Sequence, residues 1–179
     1  QDNWNVDSDD FPTMLKLSLS KTKNLLAFIN NFPRRMINNY ANSFPEEVRM
    51  LFKNLFDESQ DLVMRIESFR KGIESVHAKW DSEGDKNHYQ TYNVISTYLW
   101  LRFPDKYYIY KPSIAQGMFE RLVGKIKLRS LGAEAVVKTY KLYDEISDVL
   151  VKDAELREML EKSMTEDCYQ DLDMKTATV

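Results

Sequence analysis

Between Pro45 and Trp80 apolar residues recur every three or four positions, at Val48, Leu51, Leu55, Leu62, Ile66, Phe69, Ile73, Val76 and Trp80. That spacing paints one continuous stripe along an α-helix, and the stripe must pack against something. Pro45 is tolerated in a first helical turn, and Glu46 and Glu47 complement the partial positive charge there, so the helix starts at this point. An apolar position is skipped around Asp57-Glu58-Ser59, where a bend or two helices end to end are both admissible.

The remainder reads as helix with one exception. Asp81 to Asn87 is polar and centred on Gly84, hence a loop. Tyr89 to Phe103 predicts a second helix, greasy nearly all round as in a buried central helix, with Tyr92, Ile95, Tyr98, Leu99 and Arg102 on one face and Pro104 as its stop. Tyr107-Tyr108-Ile109-Tyr110 is β-prone and too short for a helix, which predicts one short strand or extended segment near 107–111. Ser113 is the expected N-cap of a helix through about Leu122, and Gly124 to Gly132 is a basic loop. Glu134 to Lys152 predicts a helix with Val136, Tyr140, Tyr143, Ile146 and Leu150 on one side. Asp153 is placed to cap a further helix carrying Leu156, Met159 and Leu160, the two forming a hairpin. Upstream, Met14, Leu15, Ser18, Leu25 and Phe28 give helical spacing within Phe11 to Phe32. The expected fold is mainly α, a multi-helix bundle-like domain with one short β element. A helical or irregular segment over 1–43 is expected to precede a helical domain over 44–179.

Composition narrows the chemistry. Apolar residues are 43% of the 179, charged residues 30%, and there are only five Gly and five Pro, a globular balance. The lone cysteine, Cys168, excludes an internal disulfide and a Cys-based zinc site within one chain and fits a reducing compartment, so cytoplasm is expected. No apolar run is long enough to span a bilayer, and the acidic start Gln1 to Asp10 does not resemble a signal peptide. The absent initiator Met and the polar ending Ala177-Thr178-Val179 suggest a piece of a longer protein.

Active-site patterns are missing. A phosphate-cradling loop ending at Gly124-Lys125 needs Gly at position 119 and a hydroxyl at 126, where Phe119 and Ile126 stand. His77 and His88 straddle a loop without a zinc ligand set, and His77 reads as a helix-end cation or loop contact. Asp57-Glu58 and Asp144-Glu145 are adjacent helical acids that diverge rather than converge on a substrate, and Cys168 sits in no nucleophile turn. No catalytic residue, metal site or cofactor site is expected, so the chain acts by binding.

Charge is the remaining signal. Net charge is −3, yet residues 99–141 hold 9 basic against 3 acidic side chains, and 142–179 hold 4 against 11. Within the basic stretch, Trp100-Leu-Arg-Phe-Pro-Asp-Lys-Tyr-Tyr-Ile-Tyr-Lys111 interleaves aromatic and basic residues. One reading makes Trp100, Tyr107, Tyr108 and Tyr110 core residues with hydrogen-bonded polar tips. The other makes them a stacking surface for bases, with Tyr108 exposed and Arg102, Lys106, Lys111, Arg121, Lys125, Lys127 and Arg129 on phosphates.

Five segments add a resemblance: Asn54 to Leu62, His88-Tyr-Gln90, Ile95 to Lys111, Leu142-Tyr-Asp-Glu-Ile146 and Cys168-Tyr169. From about Phe44 onward the chain resembles the N-terminal region of McrB-like AAA+ restriction ATPases/GTPases, motor subunits of modification-dependent, 5-methylcytosine-type bacterial restriction systems. Pro112 stands where an aromatic is common, and Gln170-Asp-Leu172 replaces a Pro-Asp-Pro turn. The resemblance implies a parent with a downstream AAA+ module fuelled by GTP or ATP with magnesium, self-association through that module, and a partner nuclease subunit. It also implies an N-terminal domain that finds DNA, often through a modified base. The competing expectation is a protein-interaction or oligomerisation domain of the same motor, in which the acidic 142–179 hairpin and central aromatics contact a protein.

Overall fold

The structure, a computed structural model, describes residues 3–26, 32–80, 87–166, 169–171 and 173–175. Among these, 67% are helical and no strand forms. None of the described helices is long and apolar enough to cross a membrane. Phe28, Cys168 and most of the Asp81–Asn87 loop lie outside the described residues. The chain forms two compact units, Gln1–Tyr98 and Leu99–Val179.

In the first unit the long stripe becomes two helices, α4 (Pro45–Phe56) and α5 (Leu62–Lys79), which fold back on each other rather than continuing end to end. The reversal is local chemistry. The Asp57 carboxylate accepts from the Ser59 amide at 3.1 Å and its hydroxyl at 2.7 Å, an Asx-type turn that competes with helix. Asp61 then restarts the helix by accepting from the Met64 amide at 3.0 Å. Two bonds set the antiparallel pairing: Arg65 Nη1 to the Leu55 carbonyl at 2.9 Å at one end, and Lys79 to Glu47 at 2.8 Å at the other. Gly72 lets the helices approach, because a Cβ there would lie 2.2 Å from Leu51 Cδ2. Val48, Phe52 and Leu55 meet Ile66, Phe69, Ile73 and Val76 in the core.

The segment before residue 44, expected as helical or irregular, falls within the unit Gln1–Tyr98. In α1 (Phe11–Ser18) and α3 (Pro33–Ser43), Phe11, Leu15, Met36, Ile37 and Tyr40 are fully buried, and both helices pack on α4. The helical pattern of the front segment breaks after Ser18, and a single turn, α2 (Lys23–Leu26), follows with Leu26 buried in place of the expected Leu25.

The helix expected from Tyr89 begins only at Tyr92, as α6 (Tyr92–Arg102). The residues before it are committed elsewhere. Tyr89 adopts a left-handed φ of 57°, held by its amide donating to Asn87 Oδ1 at 2.8 Å. The Gln90 amide donates to His88 Nδ1 at 2.9 Å. Fully buried Gln90 then donates from Nε2 to the Pro33 carbonyl at 2.9 Å and accepts the Tyr98 hydroxyl at 2.7 Å. Burial through six successive residues, Val94 to Leu99, agrees with a helix greasy on nearly every side.

In the second unit α6 ends at the Pro104 turn, and α7 (Pro112–Leu122) starts with Pro at its first position rather than on a Ser113 cap. The 107–111 segment pairs with no strand among the described residues. Its tyrosines sink onto α8 (Ala133–Leu150), and that packing replaces a ladder. Asp153 caps α9 (Ala154–Ser163) by accepting from the Glu155 and Leu156 amides at 3.0 and 3.1 Å. No α9 residue is buried, so the expected α8–α9 hairpin has no buried seam.

Two tests follow from the Gln90 network. Tyr98→Phe leaves Gln90 Oε1 buried without its donor, and urea unfolding is expected to show a loss of about 1–3 kcal/mol. Burial holds His88 below its usual 6.5, with Glu74 opposing and His77 and Arg70 reinforcing the shift. The unfolded chain therefore binds this proton more tightly, and stability falls as pH drops through 6.5 toward the lower folded value. Thermal melts should show that acid-side loss, and His88→Asn, which titrates no proton there, should flatten it.

Candidate nucleic-acid interface

The basic stretch is organised by α7 and the loop after it. α7 ends because Gly124 takes a φ of 130°, and the amides of Val123 and Gly124 both return to the Phe119 carbonyl, at 2.9 and 2.8 Å. The chain then doubles back along α7. Gln116, in the middle of that helix, donates from Nε2 to the Ile126 carbonyl at 2.6 Å and accepts the Leu128 amide on Oε1 at 3.1 Å. One side chain thus closes the loop at two backbone points flanking Lys127. Leu128, fully buried, opens a 3₁₀ turn at Leu128–Leu131 that anchors the far end. Arg129 comes close enough to Tyr110 to offset part of the rise that burial imposes on its phenol. The loop therefore runs from the C-terminal end of α7 toward the Tyr110-Lys111 end.

Arg121, Lys125, Lys127 and Arg129 are all exposed, and none forms an ion pair among the described residues. Lys125 and Lys127 share a shallow cleft of about 420 Å³ with Gln116, Glu120 and Ile126. Glu120 lines the same cleft, and its carboxylate accepts from Gln116 at 2.8 Å. Lys111, also exposed, is the residue preceding α7. Arg102 and Lys106 form a separate pair over the Phe103 ring, 4.8 and 5.8 Å from its centroid. The eight residues singled out by sequence therefore separate into a strip of four (Arg121, Lys125, Lys127 and Arg129), Lys111 before α7, a pair at the end of α6, and Tyr108.

Tyr108 is not available for stacking. Its ring is 1% exposed, packed 5.3 Å from Tyr143 and 5.8 Å from Tyr140, and Tyr107 and Tyr110 are buried as well. Of the two readings, the core one is observed for Tyr107, Tyr108 and Tyr110, while Trp100 is only half-buried. The Tyr108 hydroxyl donates to Asp144 Oδ1 at 2.8 Å and accepts from Lys175 Nζ at 2.9 Å, while Lys175 also pairs with Asp144 at 2.8 Å. Burial first, and then Asp144 against the opposing Lys175, pushes this phenol up to about 12. The hydroxyl stays protonated at any ordinary pH.

Sequence reading missed Gln116, whose glutamine in an amphipathic helix looks like ordinary surface, and Lys175, 31 residues from Asp144 in a polar tail. Neither carries a local signal, because each acts only on backbone or side chains brought near by folding. Among the described residues no group of three or more His, Cys, Asp or Glu side chains is arranged to hold a metal ion.

No protein-family model, curated protein or solved structure matches this chain.

Gln116→Ala removes both ties to the loop, each contributing about 1 kcal/mol net. Exchange of the Leu128 amide with deuterium should then accelerate by about tenfold or more, while α8 amides keep their protection.

Proposed function

We propose that this chain is a DNA-targeting domain of an McrB-like restriction motor, and that it grips the phosphate backbone with the strip Arg121, Lys125, Lys127 and Arg129. The observation that carries the reading is a set of four exposed cations, unpaired among the described residues, on a segment pinned by Gln116. Phosphate binding asks for cations held in place with little ordering left to do on contact, and a clamped loop meets that condition. Lys111, Arg102 and Lys106 extend the positive field. With Tyr108 in the core, the reading assigns no base contact to the tyrosines.

On this reading the domain works in the cytoplasm and holds no cofactor of its own. GTP or ATP hydrolysis with magnesium, ring assembly and the nuclease partner belong to the motor module of the parent. A second reading, docking on a protein, draws on α9, which is amphipathic yet buries no residue and leaves Met159 61% exposed. Self-association or capture of the motor module that is lost in Met159→Glu and kept in loop variants would favour it.

The discriminating measurement is duplex affinity against salt. Each phosphate contact adds about −0.9 to the slope of log affinity on log salt, so K125E/K127E/R129E should flatten that slope by up to about 2.7. Tyr108→Phe should leave slope and sequence preference unchanged. A triple variant that binds as the unaltered chain does at every salt concentration would end the phosphate reading.

A further inference from the structure

Inside the basic strip sits an apolar pair that the core does not use. Leu122 is 62% exposed and Val123 63%, at the last residue and C-cap of α7, between Arg121 on one side and Lys125 and Lys127 on the other. Their backbone is fixed: the Val123 and Gly124 amides converge on the Phe119 carbonyl, and the following loop is tied back through Gln116. Two adjacent aliphatic side chains held exposed on a fixed backbone, with Arg121, Lys125 and Lys127 beside them in the chain, fit a polyanion with an apolar interior.

Two polymers fit that description, an anionic bilayer and a nucleic-acid duplex. Bilayer association grows with buried apolar area and takes a long apolar helix face or a lipid chain, which two aliphatic side chains and a neighbouring Glu120 do not provide. A duplex needs less. One or two rigid apolar side chains entering a base step from the minor groove unstack it partly, while cations on either side take the phosphates of the two strands. We infer that Leu122 and Val123 are a wedge that bends the duplex held by the basic loop.

This rests on the phosphate-binding reading above, and the two are separable by experiment. A short duplex labelled at both ends is titrated with the full chain, and energy transfer reports the end-to-end distance while salt dependence reports phosphate contacts. The unaltered chain is expected to bring the ends closer. L122S/V123S, in which only exposed side chains change, is expected to keep its melting temperature and salt slope, lose the transfer change, and bind about tenfold more weakly. Bending by L122S/V123S equal to that of the unaltered chain overturns the wedge and leaves the phosphate reading standing. A salt slope unchanged in K125E/K127E/R129E overturns both. Binding to phosphatidylserine vesicles that L122S/V123S abolishes, with no bending of DNA, overturns the wedge in favour of a membrane surface.

Discussion

Hydrogen bonds from tyrosine hydroxyls tie together elements within each unit. Leaving a buried hydroxyl unpaired costs about 1–3 kcal/mol, so a tyrosine with a bonded tip specifies what must lie beside it, whereas the Tyr143 hydroxyl is buried with no hydrogen-bond partner among the described residues. Tyr40 bonds His77 Nδ1 at 2.8 Å and joins α3 to α5, and Tyr92 donates to Glu67 at 2.7 Å and joins α6 to α5. Tyr98 reaches Gln90 and fixes the turn before α6, while Tyr108 reaches Asp144 and fixes an otherwise irregular segment on α8. Burial is the leading cause that pushes Tyr92 and Tyr108 up to about 12, so the phenols remain donors. Helices alone would tolerate sliding along apolar faces. These bonds select one register.

With Tyr107, Tyr108 and Tyr110 in the core, the outer chemistry at the end of α7 and along the basic loop is left mainly to cations and two aliphatic side chains. The side-chain amide of Gln116 on α7, a group suited to read a base edge, is occupied by the Ile126 and Leu128 backbone and by Glu120. On the proposed reading this surface therefore responds to charge and shape, and discrimination between sequences comes from how readily a base step yields. The same clamp that removes a base reader makes the loop stiff enough to hold a wedge.

Much of the fold was legible in the residues. Helical spacing located α4, α5 and α8, Pro45 and Pro104 marked a start and a stop, and Asp153 announced the cap of α9, because these signals act within a few residues. The points that the sequence left open have a common cause. A β-prone tyrosine segment predicts a strand only where another strand is available to pair, and here α8 offers aromatic faces instead. The Asp57 turn makes a hairpin of a stripe that is equally compatible with end-to-end helices, and periodicity is blind to that direction.

By itself the sequence determined a helical chain, the position of its basic stretch, and the absence of a phosphate-cradling loop, since periodicity, charge and motif spacing are properties of neighbouring residues. Only the tertiary structure decided that Tyr108 lies in the core, that Gln116 clamps the basic loop, and that Leu122 and Val123 remain outside while Leu128 is buried. Burial and partnership arise from residues distant in the chain: an aromatic beside a lysine has the same local pattern whether it stacks on a base or donates to a buried aspartate. Which of these occurs depends on what the fold brings to its other face.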